Sequence, residues 1–69
     1  MPLSQIEIGR RCRIKNVTGD DAVRRHLAAL GFTEGAEVEV VSELAGSLII
    51  GVMDSRVAVD KGLARRILV

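Results

Sequence analysis

The sequence predicts a small, mainly β domain of about five antiparallel strands, with one helix between the first and the second. Two patterns carry this. Apolar and charged residues alternate with a period of two from Arg11 to Val17 and again from Glu37 to Val41, as half-buried strands require. Between them, Val23, Leu27 and Leu30 repeat at steps of four and three, which places them on one stripe of a helix. With 69 residues the chain makes a single domain spanning residues 1–69. A chain this short buries only about 60% of its unfolded surface. Phe32 is the only aromatic residue, so Val, Ile, Leu and Ala must build the core.

Taken in order, Ser4-Gln5-Ile6-Glu7 fits a capping box, with Leu3 and Ile8 placed to staple it and Gly9 ending a single turn. Arg11–Val17 is the first strand. Thr18-Gly19-Asp20-Asp21 breaks it and offers a capping carboxylate to a helix over Asp21–Leu30, which Gly31 stops. A turn at Glu34-Gly35 leads into the second strand, Glu37–Val41. Ala45-Gly46-Ser47 is a loop, and Leu48–Met53 is a third, largely apolar strand. Asp54-Ser55 is a two-residue hairpin connection. Val57 and Val59 mark a fourth strand, and Asp60 caps a short turn, Lys61–Arg65, that carries Leu63 inward. Ile67-Leu68-Val69 closes the chain as a fifth strand. So small an antiparallel sheet must curl to protect its edges, and an SH3-like small β-barrel is the economical arrangement.

Ten Lys and Arg balance nine Asp and Glu, and a net charge of +1 gives no strong field toward nucleic acid. Apolar runs such as Leu48-Ile49-Ile50 are far short of the roughly 20 residues needed to span a bilayer. The start of the chain lacks the basic and apolar regions of a signal peptide, and one cysteine allows no internal disulfide. A cytoplasmic location is expected.

From Leu27 to Val40 the chain reads Leu-Ala-Ala-Leu-Gly-Phe-Thr-Glu-Gly-Ala-Glu-Val-Glu-Val. This resembles the central signature of the FeoA family: a helix ending in Leu-Gly, a short linker, a Gly, then a valine-rich strand. An early Leu-Ser, Arg residues on the helix and a Leu-Ala turn before a final apolar strand agree. Glu34 stands where that family often has Pro, and the Ala45-Gly46-Ser47 loop is shorter than its usual hairpin. The resemblance implies an SH3-like barrel acting as a cytoplasmic accessory to FeoB, the ferrous iron transporter with a GTP-binding domain. A similar barrel forms the C-terminal domain of DtxR-type iron-dependent repressors, whose winged-helix portion this chain lacks.

Few residues here offer chemistry. Cys12 and His26 are the only Cys and His, with no third group to orient them as nucleophile and base, so no catalytic residue is assigned. No paired ligand spacing such as CxxC or HxxxH is present, and Asp20-Asp21 reads as a helix cap rather than a metal site; no cofactor is expected. Arg10, Arg11, Arg13 and Lys15 read as a solvated strand face paired with Glu37 and Glu39. What remains is a contact surface at the helix end. Leu27, on the flank of the stripe beside Arg24 and Ala28, is expected to be the partly open leucine, with Leu30 and Phe32 completing the patch. The leading function is a regulatory adaptor for the transporter. The alternatives are a small-barrel nucleic-acid-binding module, which generally uses stacking aromatics this chain lacks, and a metal-sensing domain of the repressor type. Cys12 is expected to be buried and structural. Cys12→Val should keep the fold at a cost under about 1.5 kcal/mol, measured by denaturant unfolding; stoichiometric metal binding lost in that variant would contradict this.

Overall fold

The stretch that alternates around Cys12 and Ile14 forms two strands rather than one in the computed structural model, which describes residues 1–69. β1 (Arg11–Arg13) pairs antiparallel with β3 (Glu37–Leu44), and β2 (Asn16–Val17) pairs antiparallel with β6 (Ile67–Leu68). The partner changes between Ile14 and Lys15. The Ile14 N–H donates to the Ala36 carbonyl at 2.9 Å, whereas the Lys15 N–H donates to the Leu68 carbonyl at 2.8 Å. One run of backbone therefore serves two sheets, and the expected five strands become six. Helix α1 (Asp21–Ala29) lies between β2 and β3. With β4 (Ser47–Val52) and β5 (Ser55–Asp60), the larger sheet has the order β1-β3-β4-β5. A second short helix, α2 (Lys61–Ala64), carries the chain from β5 to β6.

Both tight hairpins have positive φ at their two central residues, the geometry that matches the twist of antiparallel strands. The first turn is Ala45-Gly46, with φ of 51° and 83°; Ser47, expected in the loop, begins β4 and pairs with Leu44. The second is Met53-Asp54, with φ of 51° and 63°, one residue earlier than the expected Asp54-Ser55. The shift sets buried Leu48 directly opposite buried Val59, a match that a turn at Asp54-Ser55 would offset by two residues. β3 runs past Val41 to Leu44, and a register shift at Val41 separates its two halves.

The helix caps follow the sequence. The Asp20 carboxylate accepts the Val23 N–H at 2.9 Å, and the Asp60 carboxylate accepts the Leu63 N–H at 2.8 Å. The expected capping box at Ser4–Glu7 does not form. Leu3–Gln5 is a 3-10 turn with no side-chain cap, Leu3 is fully buried and Ile8 is 60% exposed, so no staple closes. The chain prefers to sink Leu3 into the core and let the first residues pair with the last: the Met1 amino group donates to the Val69 carbonyl at 3.0 Å, and the Val69 N–H to the Met1 carbonyl at 2.8 Å.

The core is one cluster centred on Phe32, Ile14, Leu27, Ile50 and Ile67, with the inward valines of β3 and β4 around it. Ala64 is buried, and Leu63, expected inward, is half-buried and packs against the core. Cys12, expected to be buried, is half-buried, because β1 is an edge strand; it packs on the core opposite Val38. At the end of α1, the Phe32 N–H donates to the Leu27 carbonyl at 2.9 Å and the Gly31 N–H to the Ala28 carbonyl at 3.0 Å. This is a Schellman closure, and it needs a left-handed residue at Gly31, where φ is +103°. A Cβ there would stand 2.8 Å from the Met53 sulfur, which can swing away, and 3.2 Å from Val52 Cγ2, which is held in the core. Gly31→Ala should cost about 1–2 kcal/mol and lower the Tm by several degrees. An unchanged melting curve would show that the closure is dispensable.

Candidate functional site

The five residues singled out at the helix end separate into two depths. Arg24 and Ala28, one turn apart, are exposed, and Leu30 is half-buried. Leu27, expected to be the open leucine, is 0% exposed, and Phe32 is 1% exposed. The Schellman closure explains the inversion. It folds the chain back so that Phe32 and Leu27, the two positions this motif brings together, share the core. Leu30, the cap residue before Gly31, stays half-buried and packs against the edge of the core.

Arg24, Ala28 and Phe32 nonetheless meet in one place. They line an open groove of about 760 Å³ between α1 and the strand β2, with Phe32 at its floor and Val17, Thr18 and Gly19 on the far side. That far side is fixed by Thr18, whose N–H and hydroxyl both donate to the Arg66 carbonyl, at 2.7 and 3.2 Å. Gly19, at φ +116°, brings the backbone up to Val23: a Cβ there would lie 3.2 Å from Val23 Cγ1. The groove carries both signs of charge, Arg24 and Arg25 against Asp21 and Glu34, around an apolar strip of Val17, Ala28 and Phe32. An open, mixed-charge trough of this kind suits a protein segment better than a small molecule, which binds in enclosed, mostly apolar pockets. Neither Leu27 nor Leu30 lines the groove; Leu27 shares the core cluster with Phe32.

The sequence did not point to Val17, Thr18 or Gly19 as a groove wall, because that wall exists only once β2 pairs with β6. Met53 was also missed. It is 76% exposed in the β4–β5 turn and lies against the Gly31 end of α1. Its positive φ of 51° appears only in the structure, and no sequence pattern marks it.

Elsewhere two ion pairs form. Arg11 lies opposite Glu39 and Arg13 opposite Glu37 in the β1–β3 register, and Arg11 Nε meets Glu39 Oε1 at 3.2 Å. Lys61 Nζ meets Glu43 Oε2 at 2.9 Å. Both pairs are solvent-exposed and contribute little to stability. Cys12 lies on β1 and His26 is exposed on the last turn of α1; no hydrogen bond links either side chain to an orienting group. No three His, Cys, Asp or Glu side chains converge as metal ligands. No helix is long and apolar enough to cross a membrane.

A family model described as the FeoA domain matches residues 1–69. A crystal structure described as iron uptake regulatory protein (FeoA) is 34% identical, covers 97% of this chain and 91% of its own, and superposes with a TM-score of 0.90. FeoA of Stenotrophomonas maltophilia in complex with zinc, described as a prokaryotic SH3 domain protein, is 28% identical over 99% of this chain and 87% of its own, with a TM-score of 0.86. A manganese-dependent transcriptional repressor shares the fold alone: 18% identity, 97% of this chain, 39% of its own, TM-score 0.86. Among curated proteins none matches the sequence at a significant level.

The depth inversion sets a pair of opposite outcomes. Leu27→Gln puts an unpaired amide into the core and should abolish the folded circular-dichroism signal of so thin a domain. Leu30→Gln should stay folded, because its side chain already reaches water. The reverse pattern would mean that the helix end is seated differently.

Proposed function

The chain belongs to the FeoA domain family, and from that premise we propose that it is a cytoplasmic accessory protein of ferrous iron uptake that docks on a FeoB-type transporter and modulates it. Ferrous iron transport is the family's setting, and the family is an accessory domain rather than an enzyme. The two sheets, joined through the shared run of β1 and β2, support the reading of the fold as an SH3-like barrel; the S. maltophilia relative is described as an SH3 domain protein. Nucleotide chemistry belongs to the transporter's GTP-binding domain, and iron is its cargo.

The observation that carries the docking face is the convergence of Arg24, Ala28 and Phe32 on one open groove. Arg24 supplies an exposed guanidinium able to take a carboxylate of the partner in two parallel hydrogen bonds. Ala28, small and exposed, lets a partner side chain approach the floor over Phe32. Leu27 takes part only by holding Phe32 in place, and Leu30 extends the contact past the helix end. Regulation then needs no chemistry in this chain. Binding one transporter state tenfold better than another shifts that equilibrium by about 1.4 kcal/mol.

Capture by the isolated cytoplasmic domain of a FeoB-type transporter tests the face. Ala28→Gln keeps a good helix former but fills the groove, and Arg24→Glu reverses its charge. Each should leave the dichroism spectrum intact and weaken capture by about tenfold or more, an effect typical of a disrupted interface anchor. Wild-type capture by both variants would move docking to another surface. No capture of the unaltered chain would remove the transporter as partner.

A further inference from the structure

β5 is the outermost strand of the four-stranded sheet, and no element pairs with its far side. Val52 and Ser55 flank the two-residue turn, so they form a hydrogen-bonded pair, and such pairs alternate along an antiparallel ladder. Ile50–Val57 and Leu48–Val59 are therefore bonded pairs, whereas the N–H and C=O groups of Arg56 and Ala58 point to the free edge. No turn, loop or side-chain bond engages them. Both residues are exposed. The strand also lacks the usual guards of an edge: it contains no Pro or Lys, and its ladder with β4 runs through six consecutive pairs without a bulge.

We propose that this edge pairs antiparallel with the same edge of a second copy of the chain, two-fold about Ala58, joining the two four-stranded sheets into one. The sequence of the strand, Ser-Arg-Val-Ala-Val-Asp, is complementary to itself in that register. Ala58 meets Ala58 of the second copy, and Arg56 meets Asp60 of the second copy on either side of the axis. The Asp60 Oδ1 already accepts the Leu63 N–H, which leaves Oδ2 for the incoming guanidinium. Inward-facing Val57 lies opposite Val59 of the second copy, extending the core face across the junction. On the outer face Ile49, half-buried and paired with Ala58, continues the apolar strip through the axis. The opposite edge of the sheet has the contrary pattern. Self-pairing of β1 about Cys12 would set Arg11 against Arg13 of the second copy twice, like charge on like. One edge thus repels its own copy and the other matches it. A junction of one strand per copy is small beside the roughly 1,200–2,000 Å² of stable complexes, so the dimer is weak and reversible. This inference does not rest on the transporter reading.

The test is sedimentation velocity from about 10 μM to about 1 mM, beside amide exchange at Arg56 and Ala58 over the same range, where mass action must reveal a weak dimer. The unaltered chain should gain mass with concentration and slow exchange at those two amides. Ala58→Lys places like charges directly across the axis, and Arg56→Glu sets a second carboxylate opposite Asp60 of the other copy. Each should stay folded and lower the association constant about fivefold or more, while Ala58→Thr, a better cross-strand pair, should raise it. A monomer at every concentration with unchanged exchange would overturn the proposal, as would a dimer that persists in both charge variants. Protection of Arg56 and Ala58 that appears only when an extended foreign peptide is added, with the chain still monomeric, would assign the edge to that peptide and likewise refute self-pairing.

Discussion

At the end of α1 the amides of Phe32 and Gly31 close back on the carbonyls of Leu27 and Ala28, and the placement of the helix depends on that closure. Leu27 is the only residue of α1 that is fully buried. Without the reversal at Gly31, Phe32 could not reach the core, and Leu27 would have no cover. The floor of the groove is the far consequence of the same two bonds. An isolated nine-residue helix is unstable in water, since too few turns follow its costly nucleus. Here the Asp20 cap at one end and the Schellman closure at the other satisfy part of the amides and carbonyls that such a helix leaves open.

A second constraint acts through the run from Arg11 to Val17. By serving β3 with its first half and β6 with its second, it ties the groove wall to the last strand of the chain. Thr18 and Arg66 are 48 positions apart in sequence, yet they meet through two hydrogen bonds to one carbonyl. The groove is thus not a property of the helix alone. It is a seam between a local element and the most distant strand-to-strand pairing in the two sheets.

Much of this was legible because it was local. The alternation around Cys12 and over Glu37–Val41, the helical stripe of Val23, Leu27 and Leu30, the Asp20 and Asp60 caps and the stop at Gly31 all depend on residues within a few positions of one another. The misreadings came where distant partners decide. Leu27 and Leu30 occupy equivalent edges of a stripe, and only the path of Phe32 tells which one sinks. The break in the first strand reflects β6, and the one-residue shift of the second hairpin reflects the match of Leu48 with Val59. The capping box at Ser4 lost to the burial of Leu3. Of the candidate site, Arg24 and Ala28 could be read from the helix, whereas the Val17–Gly19 wall could not.

The clasp between Met1 and Val69 makes the folded backbone nearly a closed ring. In kinetic terms, the β2–β6 pairing is the step that must bring two remote segments together, and the entropy of closing so long a loop sets its difficulty. A short covalent bridge between residues 1 and 69 would shorten the loop that this pairing closes while leaving the native contacts as they are. The exposed Ala45-Gly46 turn, where neither residue is buried, is the natural place to open the ring again. The linear order of strands is in this sense a matter of where the ring is cut, while the architecture resides in the pairings themselves.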